Sequence, residues 1–162
     1  MVATSAAVAR EPASDDTREA WVLLTLATDL AVVACYGIVG VLLMALGYVL
    51  IDLVTPGSLR DLIWVQRNRN AALLLTSGLL GVATIVVAAI AGSHDDFGTG
   101  LLSALGYGVM GLVLMAVAFL LVDLATPGRL GEILVEPEPH PAVWISCVVH
   151  VALGGIIAAA IL

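Results

Sequence analysis

The chain is 162 residues long, 61% apolar and 12% charged, with a mean hydropathy of +1.11. Soluble domains run at ~45–50% apolar and ~25% charged, so a water-soluble globule with a one-sided core is excluded. Its six basic residues are all arginine and face thirteen acids, a net charge of −7, which rules out nucleic-acid binding through a basic face.

The N-terminus reads differently from the rest. Met1–Ala20 is rich in Ala, Ser, Asp and Glu and has no apolar block, so a mobile acidic tail over 1–28 is expected. A signal peptide is not: no basic region abuts a short apolar one. Trp21–Leu26 extends the first helix into the interface, with Trp21 at headgroup depth and Asp29 at the membrane edge.

Four apolar runs follow: Leu30–Ile51, Ala71–Gly92, Phe97–Val122 and Ala142–Leu162. Each reaches the ~20 residues a helix needs to cross a ~30 Å hydrocarbon layer. A helix satisfies its own backbone polar groups in lipid, and the ~10-residue alternation of barrel strands is missing. The expected fold is an all-α membrane protein with four transmembrane helices. Cys35 and Cys147 fall inside these runs with no metal or disulfide spacing and read as small buried hydrophobes.

A shift of 71 residues superimposes Tyr36–Leu59 on Tyr107–Leu130 with thirteen identities in 24 positions, among them Tyr36/Tyr107, Met44/Met115, Asp52/Asp123 and Thr55/Thr126. The chain is therefore read as two two-helix repeats, 29–92 and 97–162. An even number of helices per unit brings both copies in from the same side, a parallel repeat with its axis along the membrane normal. Within it, Gly37, Gly40, Met44 and Gly47 share one helix face, and Gly108, Gly111, Met115 and Ala118 reproduce them. Small residues let helices approach closely in lipid. The stripes fit a seam between copies or subunits, with a pore lining as the other reading. Gly78, Gly81, Gly154 and Ala158 suggest further seams.

The first and third spans end in repeated turns, Thr55-Pro56-Gly57 and Thr126-Pro127-Gly128. Proline stops one helix and suits the first turn of the next, with the threonine as its cap. Leu59, Leu62 and Ile63, copied by Leu130, Ile133 and Leu134, then predict two short amphipathic helices lying on the membrane surface. Asp52 and Asp123 precede these turns and either cap them or form a paired carboxylate site for a cation or proton. His150 is the one ionisable group well inside a span. It reads as a neutral histidine bonded to a neighbouring helix, or as a proton relay or ligand contact. His94, Asp95, Asp96 and His140, with Glu132, Glu136 and Glu138, lack metal-ligand spacing, and the Glu-Pro-Glu-Pro-His-Pro stretch reads as a stiff connector.

The order Thr55-Pro56, Leu62-Ile63, Asn68-Arg-Asn70-Ala71-Ala72 and Gly78-x-x-Gly81 resembles the YjfL family of bacterial inner-membrane proteins, domain of unknown function 350. The resemblance runs from about Leu30 to Leu162. It implies a four-helix inner-membrane protein, some of whose relatives are linked to envelope stress, and it supplies no catalytic residue. The second unit departs from the pattern: His140-Pro141-Ala142 replaces an asparagine-containing helix start. Of the family's asparagines at such positions, Asn70 is the one retained here.

Function is less legible. No nucleophile–base pair, phosphate loop or metal motif is present, so the expectation is a non-enzymatic protein without cofactors or bound metal. The leading reading is an oligomeric scaffold or envelope-stress component, partnered by the bilayer and by copies of itself or other membrane proteins. The alternative is a small channel or carrier, built by oligomerisation, with Asp52, Asp123, Asn70, Thr76, Ser77 and His150 along its path. Four loop arginines (Arg60, Arg67, Arg69, Arg129) against two on the tail place loops 55–70 and 125–141 in the cytoplasm and both termini outside.

Overall fold

The computed structural model describes residues 15–54, 58–93, 96–125 and 140–162. They form five helices: α1 (Asp15–Val54), α2 (Leu59–Trp64), α3 (Arg69–Ala91), α4 (Phe97–Ala125) and α5 (Pro141–Ile161). The described residues include no strand. Four of the five, all but α2, are long and apolar enough to cross a membrane. The chain forms two compact units, Met1–Ala34 and Cys35–Leu162.

The described part of the first unit is helix. It starts at Asp15, within the stretch whose composition suggested a mobile tail. Asp15 and Asp16 lie in the first turn, where carboxylates favour the positive helix end. Elongation onto an existing long helix also avoids the nucleation penalty that an isolated segment faces. The Thr25 and Thr28 hydroxyls donate back to the carbonyls of Trp21 (2.8 Å) and Thr25 (2.7 Å), so neither polar group is left bare.

The second unit holds the core. Val39, Leu43 and Ile51 of α1 meet Leu59 and Leu62 of α2, Ala71, Val82 and Val86 of α3 and Leu112 of α4. A second cluster joins Ile85 of α3, Met115 of α4 and Ile157 of α5. The boundary between units falls within α1, and all five helices contribute to the clusters of the second unit.

Helix α2 forms where the sequence places a short helix, with its leucines turned into the protein: Leu59 is 0% exposed and Leu62 is buried in the core cluster. Trp64 and Val65 are the outward groups. The cause is a tether, since Asp52 Oδ1 accepts the Leu59 N–H at 3.0 Å and holds the start of α2 back against the end of α1. Ser58 caps the same turn, accepting from the Asp61 N–H at 3.4 Å. The second predicted surface helix, around Leu130–Leu134, lies outside the described residues, as do Thr55, Pro56, Gly57, Thr126, Pro127 and Gly128.

Candidate functional site

Helices α3 and α5 run side by side in the same direction. Their contacts climb together from Asn70–His140 through Leu73–Cys147 and Ser77–His150 to Gly81–Gly154. At the last pair the backbones touch: a methyl added to Gly154 would sit 2.5 Å from the Gly81 Cα, and one added to Gly81 would sit 2.8 Å from the His150 carbonyl oxygen. Glycine suits both positions because a side chain on either would force the two main chains apart.

Four residues below this crossing, His150 is 2% exposed. Its Nδ1 lies 3.2 Å from Ser77 Oγ. Ser77 Oγ also lies 2.9 Å from the Leu74 carbonyl, which can only accept, so both contacts are hydrogen bonds when the imidazole donates from Nδ1, the tautomer this geometry favours. The ring stacks on Phe119 of α4, centroids 4.6 Å apart and planes 8° from parallel. His150 therefore joins three helices, by a hydrogen bond to α3 and an aromatic face to α4. Cys147 adds a weaker link, its thiol donating to the Leu73 carbonyl at 3.4 Å.

The N-terminal ends of α3 and α5 are locked by a second polar group. Asn68 caps α3, its Oδ1 accepting from the N–H groups of Asn70 (2.8 Å) and Ala71 (3.2 Å). The chain reaches that cap through Arg67, at φ 56°, a left-handed turn that lets Asn68 donate its own N–H to the Leu62 carbonyl at 2.9 Å. Asn70 is 1% exposed and accepts the His140 N–H at 3.3 Å. His140 in turn caps α5, its Nδ1 accepting from the Ala142 N–H at 3.2 Å. A side chain on one helix thus fixes the cap of the other. At the far end the Tyr36 and Ser93 hydroxyls lie 3.3 Å apart, and Tyr36 meets the Phe97 ring edge-on at 6.4 Å.

The residues singled out from sequence do not gather in one place. His150 and Asn70 both lie on the α3–α5 contact, at different levels. Asp52 sits at the α1–α2 corner as a cap, and the side chain of Asp123 lies outside the described residues. The glycine stripes divide as well. Gly40 lies against Val86 and Ile90, Gly47 against Val82 and Leu112, Gly108 against Leu43, and Gly111 against Ile85, whereas Gly37 faces open space. Met115 is buried, and Met44 and Ala118 are half-buried. Of the loop residues considered for a metal, Asp96 caps α4 by accepting from the Thr99 N–H (3.3 Å) and hydroxyl (3.1 Å). His94, Asp95, Glu132, Glu136 and Glu138 fall outside the described residues. Ser77, which the sequence placed among groups along a path, is instead the partner of His150, and Phe119 went unread; the signal available was only that a histidine buried in a span needs a partner.

The family described as Domain of Unknown Function (DUF350) matches residues 25–161. A UPF0719 transmembrane protein of Mycolicibacterium paratuberculosis is 35% identical over 126 residues, covering 78% of this chain and 83% of its own length. One from Mycobacterium bovis is 36% identical over the same shares. The Bacillus subtilis UPF0719 transmembrane protein YshE is 28% identical over 134 residues, 82% of this chain and 95% of its own. No solved structure matches the chain.

Proposed function

The chain belongs to the DUF350 family of multi-pass membrane proteins, and from that premise we propose that it is a non-enzymatic scaffold of the bacterial inner membrane, assembling with copies of itself or with other envelope proteins. The observation that carries this reading is how the polar groups of the spans are used. His150, Ser77, Asn70 and Cys147 are each bonded to a neighbouring helix or helix cap of the same chain. The void among Gly47, Ile51, Val82, Leu112 and Phe119 holds about 20 Å³, room for about one water and lined by apolar groups that would leave it dry. What α1 offers its surroundings is apolar: Ile38, Val41, Leu42 and Val49 are all exposed, a surface suited to lipid or to another helix.

A channel or carrier reading needs these polar groups to face a shared path between subunits. Purified protein in liposomes, assayed for ion and small-solute flux, tests the two. The scaffold reading expects flux no greater than in empty liposomes, unchanged by His150→Ala or by Asp52→Asn with Asp123→Asn, and crosslinking that captures neighbouring chains. Flux abolished by those substitutions overturns it. The arginine distribution supports loops 55–70 and 125–141 in the cytoplasm. With Cys35 and Cys147 replaced by alanine, a Gln66→Cys thiol should then react with an impermeant maleimide only after cells are opened.

A further inference from the structure

One side of the α3–α5 pair is open. Leu73 and Leu80 of α3 and Trp144, Val148, Val151 and Ala152 of α5 line a groove of about 510 Å³. Three polar side chains also border it, Thr76, Ser77 and Cys147, and each already spends its proton on a helix carbonyl: Thr76 on Ala72, Ser77 on Leu74 and Cys147 on Leu73. The groove therefore asks nothing polar of an occupant and suits a hydrocarbon chain.

We infer that this groove binds an anionic membrane phospholipid, with one acyl chain along α3 and α5 and the phosphate on Arg69. Its length fits. From the level of Trp144 to Ala152 is eight residues of helix, or ~12 Å at 1.5 Å per residue, close to the ~15 Å of one leaflet in a ~30 Å hydrocarbon layer. Its mouth fits as well. The Leu73–Cys147 contact sets α5 about 74 residues ahead of α3, so Trp144 stands level with Asn70. Trp144 is 59% exposed, an amphipathic ring at headgroup depth. Arg69 lies one turn before Leu73 on the same face of α3 as Leu73, Thr76 and Leu80. It is exposed and, among the described residues, makes no ion pair. Arg69 is the first residue of α3, where a side chain with the usual lean toward the helix N-terminus leads out of the hydrocarbon. The first N–H groups of both helices are capped by Asn68 and His140, so the arginine supplies the charge that selects the headgroup. The site is built from one chain and does not rest on the proposed scaffold role.

Trp144 itself reports occupancy. With Trp21→Phe and Trp64→Phe, both at exposed positions, it is the remaining tryptophan of the three. The full chain is reconstituted in phosphatidylcholine vesicles carrying rising fractions of acyl-brominated phosphatidylglycerol or, separately, acyl-brominated phosphatidylcholine. The expected result is half-maximal quenching at a roughly fivefold lower fraction of the brominated anionic lipid, the preference one arginine gives beside an anionic headgroup. Arg69→Gln should abolish that preference, Arg69→Lys should keep it, and high salt should shrink it. Ala152→Phe, which fills the groove from an exposed position, should weaken quenching by both lipids. Equal quenching by the two lipids overturns the inference, as does a preference that survives Arg69→Gln. Shielding of Trp144 from both lipids, with Val148→Cys crosslinking between chains, also overturns it by assigning the groove to a second copy.

Discussion

His150 carries the densest local chemistry in the bundle, because one ring serves a hydrogen bond and a stacking contact at once. Removing its partner leaves an Nδ1–H without an acceptor inside the spans. Ser77→Ala should therefore destabilise the folded chain by about 1 kcal/mol, the scale of interhelical hydrogen bonds in membranes. His150→Ala should cost about 3 kcal/mol, since it also empties the space facing Phe119, as large-to-small core changes do. Reversible unfolding in bicelles measures both. The double variant should fall short of the sum by about 1 kcal/mol if the hydrogen bond is the coupling. At the α1–α2 corner, Asp52→Asn retains an oxygen acceptor for the Leu59 N–H and should be tolerated. Asp52→Leu removes that acceptor and should raise hydrogen exchange at the Leu59 amide, read by exchange mass spectrometry in detergent.

Glycines that look alike in sequence differ between elements. Gly37 and Gly154 both sit mid-helix in apolar spans. An added methyl at Gly37 meets nothing within 4 Å, whereas at Gly154 it meets the backbone of Gly81. Gly37→Ala should leave stability unchanged or raise it by up to ~1 kcal/mol through helix propensity. Gly154→Ala should separate α3 from α5 and cost about 2 kcal/mol or more, in the range of overpacked interiors. The same unfolding assay distinguishes them, with fluorescence of Trp144 as a local reporter. The stripe spacing on α1 and α4 was legible in the sequence; which members of it touch a neighbour was not. Periodicity assigns a face to each residue and leaves open what occupies the space opposite. A methyl added at Gly40 or Gly47 would meet α3, while one added at Gly37, on the same face by spacing, would meet open space.

At the scale of the whole chain, the four spans could be read directly from apolar run length, and their described bounds agree with that reading within a few residues, α1 excepted. The early start of α1 at Asp15 went unread because composition judged the tail as an isolated peptide, while in the chain it extends a helix already formed. The candidate site was partly legible. The buried histidine and the asparagine before Ala71 were visible as polar residues in apolar or membrane-edge settings, but Ser77 and Phe119 come from other helices at distant sequence positions. Asn70→Ala, which frees the His140 N–H, should loosen the shared end of α3 and α5. Limited proteolysis near His140 should become faster while cleavage near Ser93 stays unchanged.

Sequence by itself determined that this protein lives in a membrane as a helical multi-pass chain. That outcome depends only on solvent: each apolar run is long enough to span, and in hydrocarbon its backbone has no partner but itself. Only the tertiary structure decided which helices lie against each other, that α2 buries its leucines in protein, and that His150 bonds Ser77 while stacking on Phe119. Those choices rest on shape at contact distance between residues far apart in the chain, where one methyl on Gly81 or Gly154 would alter the result. Apolar content cannot specify that in a lipid solvent, because exposed and buried faces are equally apolar.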